Sequence, residues 1–191
     1  ISDIAGNPLP LLYYTGGETY VADATAPQVV SINRLTPAGE NTNAAQVTFQ
    51  VTFTEPVNGV VAGSFTVNQT GTIAGAAING APITVSPVYT SIPGYPATAT
   101  VWNVVVDTGT GDGAIRLDLT DVTGIADVAT NALVTTFATG QSYNIVRTLP
   151  EAAITRFFPA GPDTAAAQVI FNVAFNRAVT GVAQSNFSIN G

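Results

Sequence analysis

The chain has 191 residues, a net charge of −7, and no Cys, Met or His; all five of its basic residues are Arg. Cys nucleophiles, Lys Schiff bases and any Ser–His–Asp triad are therefore excluded, and acid–base chemistry loses its commonest agent at neutral pH. Five scattered cations cannot neutralise a phosphate backbone or grip an anionic bilayer, and the lack of Cys excludes disulfides and thiolate metal sites.

Only 9% of residues are charged, so Thr, Asn, Ser and Gln must cover the surface. No apolar run approaches the roughly 18 residues needed to span a bilayer, which predicts no membrane insertion. No signal peptide is read, so a secretory signal is expected outside these residues.

Residues 1–24 read as the tail end of a repeat. Ile1-Ser2-Asp3-Ile4-Ala5-Gly6-Asn7-Pro8-Leu9 recurs as Ile125-Ala126-Asp127-Val128-Ala129-Thr130-Asn131-Ala132-Leu133, an offset of 124, and Tyr20 recurs as Tyr143. The joint Ala22–Pro27 is short, and its proline holds the preceding residue extended.

Residues 25–148 read as one complete repeat. Val47, Phe49, Val51 and Phe53 alternate with Thr48, Gln50 and Thr52, the period-2 mark of a half-buried strand over Ala45–Phe53. Asn58-Gly59 and Asn79-Gly80 are turn formers. Pro82–Ala97 has four prolines with Tyr89, Ile92 and Tyr95. It reads as a loop or edge strand, either folded onto its own domain or touching a partner through its apolar tip. Trp102, Val104 and Val106 are expected on one inward face of a strand over Ala97–Asp107. Gly109-Thr110-Gly111-Asp112-Gly113 reads as a hairpin turn, since no Lys or helix follows to make it a phosphate loop. Ile115, Leu117 and Leu119 mark the strand Ala114–Thr120.

Residues 149–191 read as the first part of a following repeat. Residues 153–190 repeat residues 31–68 at an offset of 122, with Pro37-Ala38-Gly39 against Pro159-Ala160-Gly161 and Phe65 against Phe187. Strands are expected around Gln168–Phe175 and Asn186–Asn190. Alone, their apolar face, including Val169, Phe171, Val173 and Phe175, would be open to a partner. Either the polypeptide continues past both ends, or the tail of one subunit and the head of the next complement each other. The predicted fold class is all-β: a two-sheet Greek-key sandwich of seven to nine strands per repeat, arranged in tandem.

Three sets of residues carry the wording of a known family: Asp23-Ala24-Thr25-Ala26-Pro27 at the joint, Val51-Thr52-Phe53-Thr54-Glu55-Pro56-Val57 at mid-repeat, and Gly111–Leu119 before the last strands. With Ile1–Leu9 and Thr15–Tyr20, the chain resembles the bacterial immunoglobulin-like tandem repeats of large cell-surface and secreted proteins. The resemblance covers essentially the whole chain. It implies an extracellular β-sandwich array serving as filament, sheath, surface layer or adhesin stalk, with copies of itself or adjacent repeats as partners.

Family members often bind Ca²⁺ at loops and joints, and Ca²⁺ needs six to eight oxygen ligands. The resemblance then points to Asp3, Glu18 and Asp23 near the first joint and to Asp107, Asp112, Asp121 and Asp127 in the late loops. The second joint departs from this pattern, with Val146-Arg147 in place of Asp23-Ala24 and Arg177 in place of Glu55. Asp118 and Asp121 are close in sequence, but nothing marks a substrate cleft beside them, and no catalytic residue is expected. Asn68-Gln69-Thr70 and Asn186-Phe187-Ser188 fit the glycosylation triplet as chance occurrences in an Asn- and Thr-rich chain. No regular Thr ladder supports ice or carbohydrate binding.

Overall fold

A computed structural model describes residues 1–8, 16–89 and 96–189. The chain is all-β, with 44% strand. Twelve strands follow in order among the described residues: β1 (Val29–Thr36), β2 (Asn41–Thr42), β3 (Gln46–Asn58), β4 (Phe65–Gln69), β5 (Ala77–Ile78), β6 (Ile83–Tyr89), β7 (Thr98–Asp107), β8 (Gly113–Leu119), β9 (Ala126–Asp127), β10 (Ser142–Ile145), β11 (Ala152–Phe158) and β12 (Ile170–Phe175). Ten of them lie within residues 25–148, against the seven to nine expected. The excess comes from β2, β5 and β9, two-residue pieces too short to show a period.

Two sheets enclose one core. The first runs β1-β3-β7-β5, with β6 also on β7 and β9 on the end of β3; the second runs β2-β10-β8-β4. The β2–β10 pair is parallel; the other pairs in these sheets are antiparallel. Alternation explains the packing. Val47, Phe49, Val51 and Phe53 of β3, Trp102, Val104 and Val106 of β7, and Ile115, Leu117 and Leu119 of β8 are all buried in the same cluster. Each such Leu, Ile or Phe contributes about 1.5–3 kcal/mol relative to exposure. Tyr143 of β10 closes the cluster from the other sheet. Its ring meets Phe49 edge-on at 5.1 Å, and its hydroxyl lies 2.8 Å from the Pro37 carbonyl and 3.0 Å from that of Thr48.

Gly109–Gly113 is not a hairpin turn. β7 and β8 belong to different sheets, so the segment carries the chain across the sandwich. Its partner is the Thr70–Ala74 stretch: Thr72 N–H donates to the Asp112 carbonyl, and Thr110 and Ala74 exchange two backbone bonds. The glycines are needed because of that close approach. A Cβ at Gly113 would lie 1.9 Å from the Thr70 carbonyl oxygen, and one at Gly111 would lie 2.2 Å from that of Thr72.

Pro82–Ala97 contributes β6, which pairs antiparallel with β7. Tyr89 pairs through its backbone with Thr98, and its side chain lies outside the described residues, as do Ile92 and Tyr95.

β11 and β12 form a separate antiparallel pair. Several local features of the β1–β3 unit recur there. Thr54 N–H donates to the Gln28 carbonyl, and Asn176 N–H to that of Glu151. The Thr54 hydroxyl accepts Gln28 N–H, and the Asn176 side chain accepts Glu151 N–H. A register shift follows Arg34 and another follows Arg156. Thr36–Pro37 and Phe158–Pro159 are both cis, and Gly59 and Gly181 both have positive φ. Short 3₁₀ turns at Ala62–Ser64 and Gln184–Asn186 lead into Phe65 and Phe187.

The strand expected over Asn186–Asn190 is not formed among the described residues. Its counterpart β4 exists because β8 offers it a ladder from Phe65 to Gln69. Among the described residues no such neighbour stands beside Phe187.

Candidate functional site

The main cluster of acidic side chains sits where the first joint meets the sandwich. Asp23 comes from the joint, Glu55 from the late part of β3, and Asp127 from β9. One carboxylate oxygen from each lies within 4.8 Å of the others. The backbone explains the meeting. β3 and β7 part at an irregularity between Thr52 and Val57 and meet again at Val57–Ala99, and Pro56 has no N–H to give a ladder there. On the other edge of β3, past the end of β1 at Phe53, β9 pairs Asp127 with Val57.

Asp127 is buried, and its carboxylate is already engaged. Oδ1 accepts the Asn131 N–H at 2.8 Å, and Oδ2 accepts Asn131 Nδ2 at 2.9 Å. The same amide reaches the Asp23 carbonyl oxygen at 3.2 Å, tying the joint to the sandwich. Asp23 Oδ1 accepts the Thr25 N–H at 2.9 Å. The Glu55 carboxylate accepts no hydrogen bond among the described residues. Burial, then the charges of Asp127 and Asp23, raise its pKa above the usual carboxylate value. The trio supplies three carboxylates toward the six to eight oxygens Ca²⁺ requires, so carbonyls and water would have to supply the rest.

Of the seven acids singled out from the sequence, the structure brings together Asp23 and Asp127. Glu18 is exposed; Asp3 and Asp121 hold turns, and Asp107 and Asp112 tie distant segments together. Asp3 accepts Ala5 N–H, Asn7 N–H and Asn7 Nδ2. Asp107 accepts Asn79 Nδ2 and Gln46 Nε2. Asp121 accepts Thr123 N–H. Asp112 accepts Arg147 N–H at 2.7 Å, Thr148 N–H at 3.0 Å and the Thr148 hydroxyl at 2.5 Å. The side chains of Asn7, Asn79, Thr148 and Thr123 are the largest causes that hold the carboxyls of Asp3, Asp107, Asp112 and Asp121, in that order, below their ordinary pKa. Glu55 is the member that sequence reasoning left out of the set. Its exchange for Arg177 in the later segment was the available signal.

The second feature is the open face of β11 and β12. Val169, Phe171 and Phe175 are exposed and Val173 is half-buried, while Val47, Phe49, Val51 and Phe53 at the matching positions of β3 are buried. Ile154, Phe171, Val173, Phe187 and Ile189 line an open groove of about 480 Å³ on that face.

No family model matches the chain, and no curated protein or solved structure matches it significantly.

Proposed function

We propose that this chain is a non-enzymatic structural module of an extracellular bacterial filament, sheath or surface layer, built from immunoglobulin-like Greek-key repeats in tandem. The observation that carries the reading is the recurrence of local geometry at both ends. The Asp127–Asn131 turn, with its carboxylate accepting both Asn131 donors, is matched by Asp3–Asn7. The β1–β3 unit is matched by β11–β12, down to the shared register shift and the glycine of positive φ. A stretch related to the end of the sandwich precedes it, and one related to its start follows it, which is the order a tandem array produces.

The weakly charged, Thr- and Asn-rich sequence and the lack of His, Cys and Lys favour scaffolding over chemistry. Electron cryo-microscopy of the native material, with intact-mass analysis of the dissolved chain, tests this. Filaments are the expected result. Isolated globular particles overturn the reading.

A further inference from the structure

We propose that the open face of β11 and β12 is covered by residues 1–8 and 16–23 of a second copy of this chain, placed as β9 and β10 lie against β3 and β1 in the intact repeat. The inference rests on the filament reading above and names the contact that would build it.

The intact repeat shows what such a face receives. Tyr143 is fully buried against Phe49, while its counterpart Tyr20 is 97% exposed and the counterpart of Phe49, Phe171, is 53% exposed. Ile125 and Ile32 are likewise buried, and their counterparts Ile1 and Ile154 are open. The side chains open at the two ends are thus the counterparts of pairs that pack together in the intact repeat.

The polar contacts transfer as well. In the intact repeat Gln141 N–H donates to the Ile32 carbonyl, Arg34 N–H donates to the Gln141 side chain at 2.9 Å, and the Arg34 guanidinium donates to the Ser142 carbonyl at 2.7 Å and lies 6.0 Å from the Tyr143 ring centre. At the proposed contact these positions hold Glu18, Ile154, Arg156, Thr19 and Tyr20. A glutamate thus replaces the glutamine that accepts the arginine's backbone N–H, adding a negative charge beside a basic residue. The same happens at the acidic cluster. Glu55 faces Asp127 in the intact repeat, whereas at the contact Arg177 would face Asp3. The Arg177 guanidinium already donates to the Thr148 carbonyl, which holds its charge on this face. Two charge changes of matching sign favour a second copy over an unrelated apolar partner.

Head and tail are different surfaces, so the contact is heterologous, and each bound copy leaves another head and tail free. The joined unit has no counterparts of β5 to β8, which makes assembly dependent on concentration.

Sedimentation velocity of the 191-residue chain across a concentration series tests the contact. Average mass should rise with concentration into open oligomers. Tyr20→Ala removes the aromatic anchor and should weaken association at least about 30-fold. Glu18→Arg and Arg156→Glu should each weaken it about three- to tenfold, and an equimolar mixture of the two variants should recover assembly, because each head then meets a tail of opposite charge. All three residues lie outside the intact repeat, so its thermal melt serves as the folding control. Monomers at every concentration overturn the proposal. So does assembly indifferent to Tyr20→Ala, or a mixture no better than its components; either result would assign the face to edge pairing between tails or to residues of a longer chain. Monomers in this assay would leave the filament reading standing. Native material without filaments would remove that reading and leave the contact measurable.

Discussion

Replacing Glu55 with Gln should stabilise the protein at pH 7 by about 1 kcal/mol. The carboxylate oxygens of Asp23, Glu55 and Asp127 lie within 4.8 Å of one another. Glu55 is only half-buried, so the dielectric of water is the right starting point. Two unit charges at that distance then repel by about 0.9 kcal/mol, and Glu55 meets two of them. With a Debye length of about 8 Å at physiological salt, screening roughly halves the sum. Glutamine keeps the shape and forfeits no hydrogen bond, since the Glu55 carboxylate accepts none among the described residues. For a unit of this size, about 1 kcal/mol corresponds to a rise in Tm of about 3–6 °C, readable by calorimetry.

The pH dependence fixes the cause. The folded state holds the Glu55 proton more tightly than the unfolded state does, because burial and the two neighbouring acids raise its pKa. Wild-type stability from this group therefore falls as pH rises from the unfolded carboxylate value through the raised one, and the variant lacks that slope. The gain should be complete at pH 7, vanish by about pH 3, and shrink to a few tenths of a kcal/mol in about 1 M salt. A destabilised variant in metal-free buffer, or a gain that ignores pH and salt, would refute the like-charge account. Repeating the melts with Ca²⁺ probes the same trio, since a cation held there raises Tm only while Glu55 is present.

Three further outcomes are expected. Thr130 is a β-branched residue at φ 71°, where the matching turn has Gly6; Thr130→Gly should raise stability by about 0.5–1 kcal/mol net of the extra unfolded-state entropy, measured by urea titration. Gly59→Ala should cost about 3 kcal/mol or more, because the Cβ would fall 1.9 Å from the Gly124 carbonyl oxygen at positive φ. Gly181→Ala has the same φ and no neighbour within 4 Å, so it should leave the melt of the intact repeat unchanged. Tyr143→Phe keeps the ring against Phe49 but strips the donor from the Pro37 and Thr48 carbonyls, and should cost about 1–2 kcal/mol in calorimetry.

The long strands were legible because each buries one face. The alternation in β3, β7 and β8 predicted most of their core residues, Trp102 included, but not Val57 and Ala99, which lie past the irregularity in the β3–β7 ladder. The passage from β7 to β8 was not legible, since a glycine-rich segment looks alike whether the chain reverses within a sheet or crosses to the other. Only the steric demand of the Thr70–Ala74 backbone distinguishes the two. β2, β5 and β9 escaped notice because two residues carry no period. Phe187–Ile189 shows the opposite failure: its pattern is that of β4, but a strand needs a partner to donate to. The acidic cluster was half legible. Asp23 and Asp127 could be picked out as acids in loops, but their meeting with Glu55 depends on β9 pairing with the end of β3 beyond β1, a tertiary event that no local pattern reports.

The Asp112 contacts have a mechanical consequence. A pull applied beyond Leu149 reaches the sandwich through Arg147 and Thr148, and both are held by the Asp112 carboxylate on the crossover between the sheets. Arg147 also grips the Ala44 carbonyl and the Thr148 carbonyl accepts Arg177. Tension is thereby shared between both layers before it reaches the four residues of β10, which would otherwise be unzipped one bond at a time. The joint acts as a strain-relief clamp, and the force at which the sandwich yields is set by breaking these contacts together.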